Sequence, residues 1–242
     1  MDFKFIGSML PELVPAIKNA LIIACSCAVI GWVLGLFIAL ARLKKIKGLS
    51  QFLAVYVSFF RSVPIVILLF FIYFALPTVI ATYQQSHGLP VTAINGSGVM
   101  IYPIIAMSLS ESAFASETFR AAISAVPHVQ DEAARSVGMT GFQAYTRIIL
   151  PQAFVVALPN LGGLFLSLVK DSSLAYYASV IEITGKAYTL ASPTYQFLEA
   201  FFVIALIYEA LSFIFSRLFS LFESRLSRYK SGAVARAKEA KA

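Results

Sequence analysis

Charge is scarce in this sequence. Lys, Arg, Asp and Glu make up 13% of its 242 residues, against 59% hydrophobic. A soluble fold could not cover that much apolar side chain with so few charges. With a mean hydropathy of +0.82, the composition excludes a soluble domain and puts the chain in a bilayer. Cysteine is nearly absent: Cys25 and Cys27 lie two apart in an apolar run. Positions i and i+2 of a helix face different ways, so these are small hydrophobes, not a disulfide or a metal pair. His87 and His128 stand singly in loops and give no metal site. A G-x-x-x-x-G-K-[ST] loop to cradle nucleotide phosphates is missing. So is any Ser–His–Asp set, and no catalytic or metal residue is assigned. A cleavable leader is not expected either, because residues 1–20 contain Asp2, Lys4, Pro11, Glu12, Pro15 and Lys18, too polar for a signal core.

What the chain does have is long apolar runs. Five spans are expected, roughly 20–41, 52–81, 99–124, 152–170 and 196–222, each long enough to cross a bilayer core at 1.5 Å per residue. Residues 1–19 read as an N-terminal interfacial segment, a short amphipathic helix lying at the membrane surface. Residues 223–242 read as a basic tail. The formal net charge of +7 sits in loops beside apolar runs, which speaks for topology and against nucleic acid. Arg42, Lys44, Lys45 and Lys47 follow the first span, Arg135 and Arg147 the third, and Arg225 and Arg228 the fifth. The stretch from Thr78 to Gly98 has no Lys or Arg. Positive-inside therefore predicts the N-terminus outside and the C-terminus in the cytoplasm, as an odd number of spans requires.

One polar island interrupts the apolar chain at 131–151. Pro127 ends the third span, since proline lacks an N–H and clashes with the preceding turn. A short helix is expected from His128 to about Val137, with Asp131 and Glu132 in its early turns, where acids suit the positive helix end. Gly138 is placed for a left-handed cap, and Thr140 with Gln143 forms a capping box that opens a second short helix. Ala133 and Ala134 would leave a smooth patch that another protein can approach closely. Charges inside the spans are the other signal: Arg61, Glu111, Glu117 and Glu209 lie in apolar segments, each costing ~2.5–3.5 kcal/mol unless paired or facing water. Arg61 precedes Pro64, a break in the second span. A guanidinium near carboxylates suits a zwitterion; a structural ion pair of Arg61 with Glu111 or Glu117 is the competing reading, and the favoured one. Pro159-Asn160 and Gly162-Gly163 mark either a kink with tight packing or a gate.

These stretches carry a resemblance. Glu132-Ala133-Ala134, then Gly138, Ile148 and Leu150-Pro151, has the spacing of the EAA loop of binding-protein-dependent ABC importer permeases. Phe60-Arg61-Ser62-Val63-Pro64 with Leu69 to Pro77 resembles the FRGTP…LFFIYFGLP segment of polar amino-acid permeases. Ala115 to Ile123, Ile149 to Ala153 (ILPQA) and Leu168 to Leu174 (LVKDSSL) are similar to further segments of that family. The similarity covers about residues 16–222 in order. Ser62-Val63 stands in place of Gly-Thr, which removes glycine's backbone freedom after Arg61.

The resemblance implies an all-α integral membrane protein of the type I ABC importer permease fold, with residues 20–222 as its transmembrane domain. It implies a short cytoplasmic coupling helix that docks on an ATPase through Asp131, Glu132, Ala133, Ala134, Arg135, Gly138, Leu150 and Pro151. A substrate pathway would involve Arg61, Pro64, Glu111, Glu117, Asn160, Lys170 and Asp171. Expected partners are two copies of an ATP-binding subunit, a second permease subunit (identical or homologous), an extracytoplasmic amino-acid-binding protein and the lipid bilayer. This chain binds no cofactor itself; ATP and magnesium belong to the partner. The expected setting is a bacterial cytoplasmic membrane. The Glu117 to Ile123 stretch looks most like cystine-type members, with glutamine, histidine and arginine as the other candidate substrates. The rival is a secondary amino-acid transporter working without an ATPase; such folds often carry internal repeats and more spans, and neither is visible.

Overall fold

The structure, a computed structural model, describes residues 1–91 and 96–239, the side chains of 97 and 227–239 excepted. All regular elements among them are helical: α1 (Phe3–Leu43), α2 (Leu49–Ser62), α3 (Ile65–Ser86), α4 (Ile101–Ser124), α5 (Val129–Ser136), α6 (Gly141–Ala144), α7 (Leu150–Asp171), α8 (Ile183–Ala191) and α9 (Phe197–Glu239). A π turn at Tyr145–Ile149 leads into α7, and 3-10 turns precede α4 and follow α7. Five runs among the described residues are long and apolar enough to cross a membrane: Phe3–Leu43, Ile65–Ser86, Gly98–Ser124, Gly141–Ala178 and Phe197–Leu226.

The second span differs from expectation. Residues 52–81 do not form one helix: α2 stops at Ser62, Val63 is extended (φ −81°, ψ 127°) and α3 starts after Pro64. The residue before a proline is pushed out of the helical region, and Pro64 has no N–H to continue the ladder. Only α3, carried on to Ser86, is a membrane-crossing length. The 14-residue α2 packs on α4 instead.

At the N-terminus, residues 3–19 are continuous with the first span. At 41 residues α1 is about 60 Å long, roughly twice a bilayer core. Its early turns bury Met9 and Leu13 in a cluster with α8 and α9. Asp2 caps it, accepting from the Lys4 and Phe5 N–H groups at 2.9 and 3.2 Å. The other Asp2 oxygen accepts from Gln196 Nε2 at 3.1 Å, just ahead of α9.

The central helix is α4, against which α1, α2, α3 and α7 all pack. Lipid tails are as apolar as leucine, so membrane helices are held by close packing and polar contacts, not by a hydrophobic drive. α4 meets that need with small residues, burying Ala106, Ser108, Ser110, Ser112, Ala113, Ala115 and Ser116. α1 answers with Gly31 and Gly35, one turn apart. A Cβ at 35 would lie 2.8 Å from Ala115 Cβ and 2.9 Å from Ser112 O. Backbone meets backbone there.

Candidate translocation cavity and coupling loop

The break at Pro64 shapes a cavity of about 320 Å³. The end of α2 contributes Arg61 to its wall, the break Val63 and the start of α3 Ile65; α4 contributes Met107, Ser110, Glu111 and Phe114; α7 contributes Leu164, Ser167, Leu168 and Asp171. One guanidinium and two carboxylates thus meet in a pocket whose other walls are largely apolar. Arg61 lies over the Phe114 ring, 5.4 Å from its centroid, and forms no ion pair among the described residues. Glu111 is buried, with Oε1 accepting from Trp32 Nε1 at 2.7 Å.

The favoured pairing of Arg61 with Glu111 or Glu117 is therefore corrected. Glu117 is held by Arg42 from the end of α1 through Oε1, and by Arg120 through Oε2 at 2.7 and 2.9 Å. Six residues beyond Glu111, it stands about 9 Å further along α4 and on another face, outside the cavity. Asn160 and Lys170 are exposed on α7 and do not line this cavity either. Trp32, Phe114, Ser110 and Ser167 were not singled out from the sequence. The one available signal was Gly31 and Gly35, a small-xxx-small spacing that marks close helix approach and sets Trp32 against α4.

At the other end of α4, the polar loop that carries α5 and α6 follows local rules. α5 closes in a Schellman arrangement: Gly138 has φ +84°, its N–H bonds Arg135 O at 2.9 Å, and the Met139 N–H reaches back to Ala134 O at 3.1 Å. That left-handed position is open to glycine at little strain. Arg135 Nε bonds Asp131 Oδ2 at 2.8 Å across one turn. Thr140 and Gln143 form the reciprocal box, at 2.9 and 3.3 Å, and Leu150-Pro151 opens α7, proline being tolerated in a first turn. The two-alanine patch is halved: Ala133 is exposed with Glu132, but Ala134 is buried under the loop. In its place Val129, Val137 and Phe142 stand out at 60%, 76% and 78% exposure. Three apolar side chains are thus bared together in a polar loop.

The family model for the binding-protein-dependent transport system inner membrane component matches residues 31–228. The chain belongs to this family. Its relatives include a probable amino-acid permease protein of Bacillus subtilis, YxeN, 37% identical over 94% of this chain and 97% of its own length. The L-cystine transport system permease protein TcyL of the same organism is 34% identical, over 96% of this chain and 95% of its own. The crystal structure of an amino acid ABC transporter with histidines matches with a TM-score of 0.77 at 31% identity, covering 93% of this chain and 99% of its own. The chain thus has the ABC importer permease fold. As an inner membrane component it is a multi-pass membrane protein.

Proposed function

We propose that this chain is the permease subunit of an ATP-driven importer for a polar amino acid. It works in a bacterial cytoplasmic membrane, with L-cystine the leading substrate and glutamine, histidine or arginine the others to test. The observation that carries this reading is the cavity where Arg61, Glu111 and Asp171 converge. An amino acid presents a carboxylate and an ammonium, and a partly dry pocket with fixed charges of both signs matches that pattern. The names of the relatives, an amino-acid permease and an L-cystine permease, support the same substrate class.

Energy comes from outside this chain. Two copies of an ATP-binding subunit hold ATP and magnesium, and each seats the α5 loop of one permease subunit through Glu132, Ala133 and the bared Val129, Val137 and Phe142. A second permease subunit, identical or homologous, completes the pathway. An extracytoplasmic binding protein delivers substrate to the surface formed by α8 and the turn before it. The N-terminus is outside and the C-terminus inside.

Affinity purification of the tagged chain from its native membrane tests this. An ATP-binding subunit should copurify, and the reconstituted complex should import one of the four amino acids only with ATP inside and the binding protein present. Import driven by an ion gradient with no ATPase would overturn the proposal in favour of a secondary transporter.

A further inference from the structure

Two carboxylates six residues apart on α4 are treated in opposite ways. Glu117 is neutralised by two guanidiniums, Arg42 on one oxygen and Arg120 on the other. Glu111 meets no cation among the described residues. Its one hydrogen bond among the described residues comes from a neutral donor, the indole N–H of Trp32, at 2.7 Å to Oε1. An indole donates and cannot accept, so Trp32 fixes the carboxylate without cancelling its charge. It also cannot compete for a positive group arriving at the other oxygen.

The neighbouring residue completes the mount. A Cβ at Gly31 would lie 2.6 Å from Glu111 Cγ and 2.8 Å from its Cβ. Only a bare backbone leaves room for the Glu111 stem between α1 and α4. Glycine clears the space, and tryptophan one residue on clamps the head. Oε2 takes no hydrogen bond among the described residues, and Glu111 lines the cavity. A buried carboxylate with most of its acceptor sites unfilled is poised for a cation. The cation that lines the same cavity among the described residues, Arg61, is set over Phe114 and not on Glu111. Opposite charges are held apart, and the gap between them is the cavity.

We propose that Trp32 is a positioning residue for substrate: its N–H holds the Glu111 carboxylate so that Oε2 faces the cavity and receives the α-ammonium group of the amino acid. This rests on the reading of the cavity as an amino-acid site. The test is calorimetric titration of the permease–ATPase complex in nanodiscs, with no binding protein present. The probes are L-cystine, L-glutamine, L-histidine and L-arginine, and then the 2-hydroxy analogue of whichever binds, which lacks the ammonium group.

Wild type should bind one of the four, and its hydroxy analogue about tenfold more weakly, the weight of one hydrogen bond to a charged group. Trp32→Phe keeps the ring and loses the donor. It should weaken the amino acid about tenfold and leave the analogue unchanged, collapsing the discrimination. Glu111→Gln should collapse it too, and the double variant should lose nothing further, because the two act as one unit. A merely structural tryptophan would weaken both ligands equally or lower the melting temperature; either pattern overturns the proposal. Should Trp32→Phe fail to assemble, Glu111→Gln decides alone, and full discrimination in that variant overturns it as well. Wild-type complex that binds none of the four removes the cavity reading itself, and the inference falls with it.

Discussion

Arg61 is a full charge inside a membrane domain, and among the described residues no carboxylate pairs with it. On insertion scales an unpaired arginine at the bilayer centre costs ~2.5–3.5 kcal/mol. Arg61 avoids that by facing the cavity and lying over the Phe114 ring, a contact worth ~0.5–2 kcal/mol depending on desolvation. A side chain so placed touches α4 only through an aromatic ring and leaves its guanidinium free of any carboxylate among the described residues. Arg61→Ala should therefore lower ATP-driven uptake about tenfold or more, the loss of a charge-assisted contact to the substrate carboxylate. Complex yield and melting temperature should stay at wild-type values. Reduced yield with normal uptake per assembled complex would return Arg61 to the role of a strut. Arg61, Glu111 and Asp171 were readable in the sequence because a charge stands out in an apolar run. Trp32 was not, because an aromatic ring among apolar residues gives no contrast. Nor was the diversion of Glu117 to Arg42 and Arg120, which depends on where the ends of α1 and α4 meet.

Among the elements, α5 is the one whose boundaries the sequence dictated. Its stop at Gly138 and the box at Thr140 and Gln143 are short-range rules that no tertiary contact had to supply. Which alanine faced outward was not local: Ala134 turns inward because the π turn at Tyr145–Ile149 packs behind the helix. The split of the second span shows the same limit. Pro64 announced a break, but only the packing of α2 on α4 showed that Leu49–Ser62 forms its own element and that α3 alone crosses. The cap makes a sharp test. Gly138→Pro would force φ from +84° to about −65° and delete the N–H bonded to Arg135. Glu132→Lys would put a positive charge on the exposed early turn, where the helix end is already positive. Both variants should insert and assemble, yet lose the stimulation of ATPase activity by the loaded binding protein. If the two retain wild-type stimulation in reconstituted complexes, α5 is not the coupling helix.

Across the whole molecule, side-chain contacts tie matching ends of the spans together. Arg42 at the end of α1 meets Glu117 near the end of α4, so both helices finish on one side, as does the loop carrying α5. At the opposite side Asp2 meets Gln196, Glu12 pairs with Lys186 at 3.1 Å, and Asn19 donates to Ile181 O at 2.7 Å. That side gathers the start of α1, the whole of α8 and the start of α9. The first side carries Arg42, Lys44, Lys45, Lys47, Arg120, Arg135 and Arg147, and positive charge is retained in the cytoplasm. Cysteine labelling in intact cells with an impermeant reagent puts the orientation at risk. Cys25 is exposed and Cys27 buried, so both are first replaced by alanine. A cysteine at Ser86, the last residue of α3, should then label from outside. One at Ser136, exposed at the end of α5, should label only after the membrane is made permeable. Labelling of Ser136→Cys in sealed cells would invert the protein in the membrane. It would also place the docking face where no ATP is available, so the coupling assignment would fall with the topology.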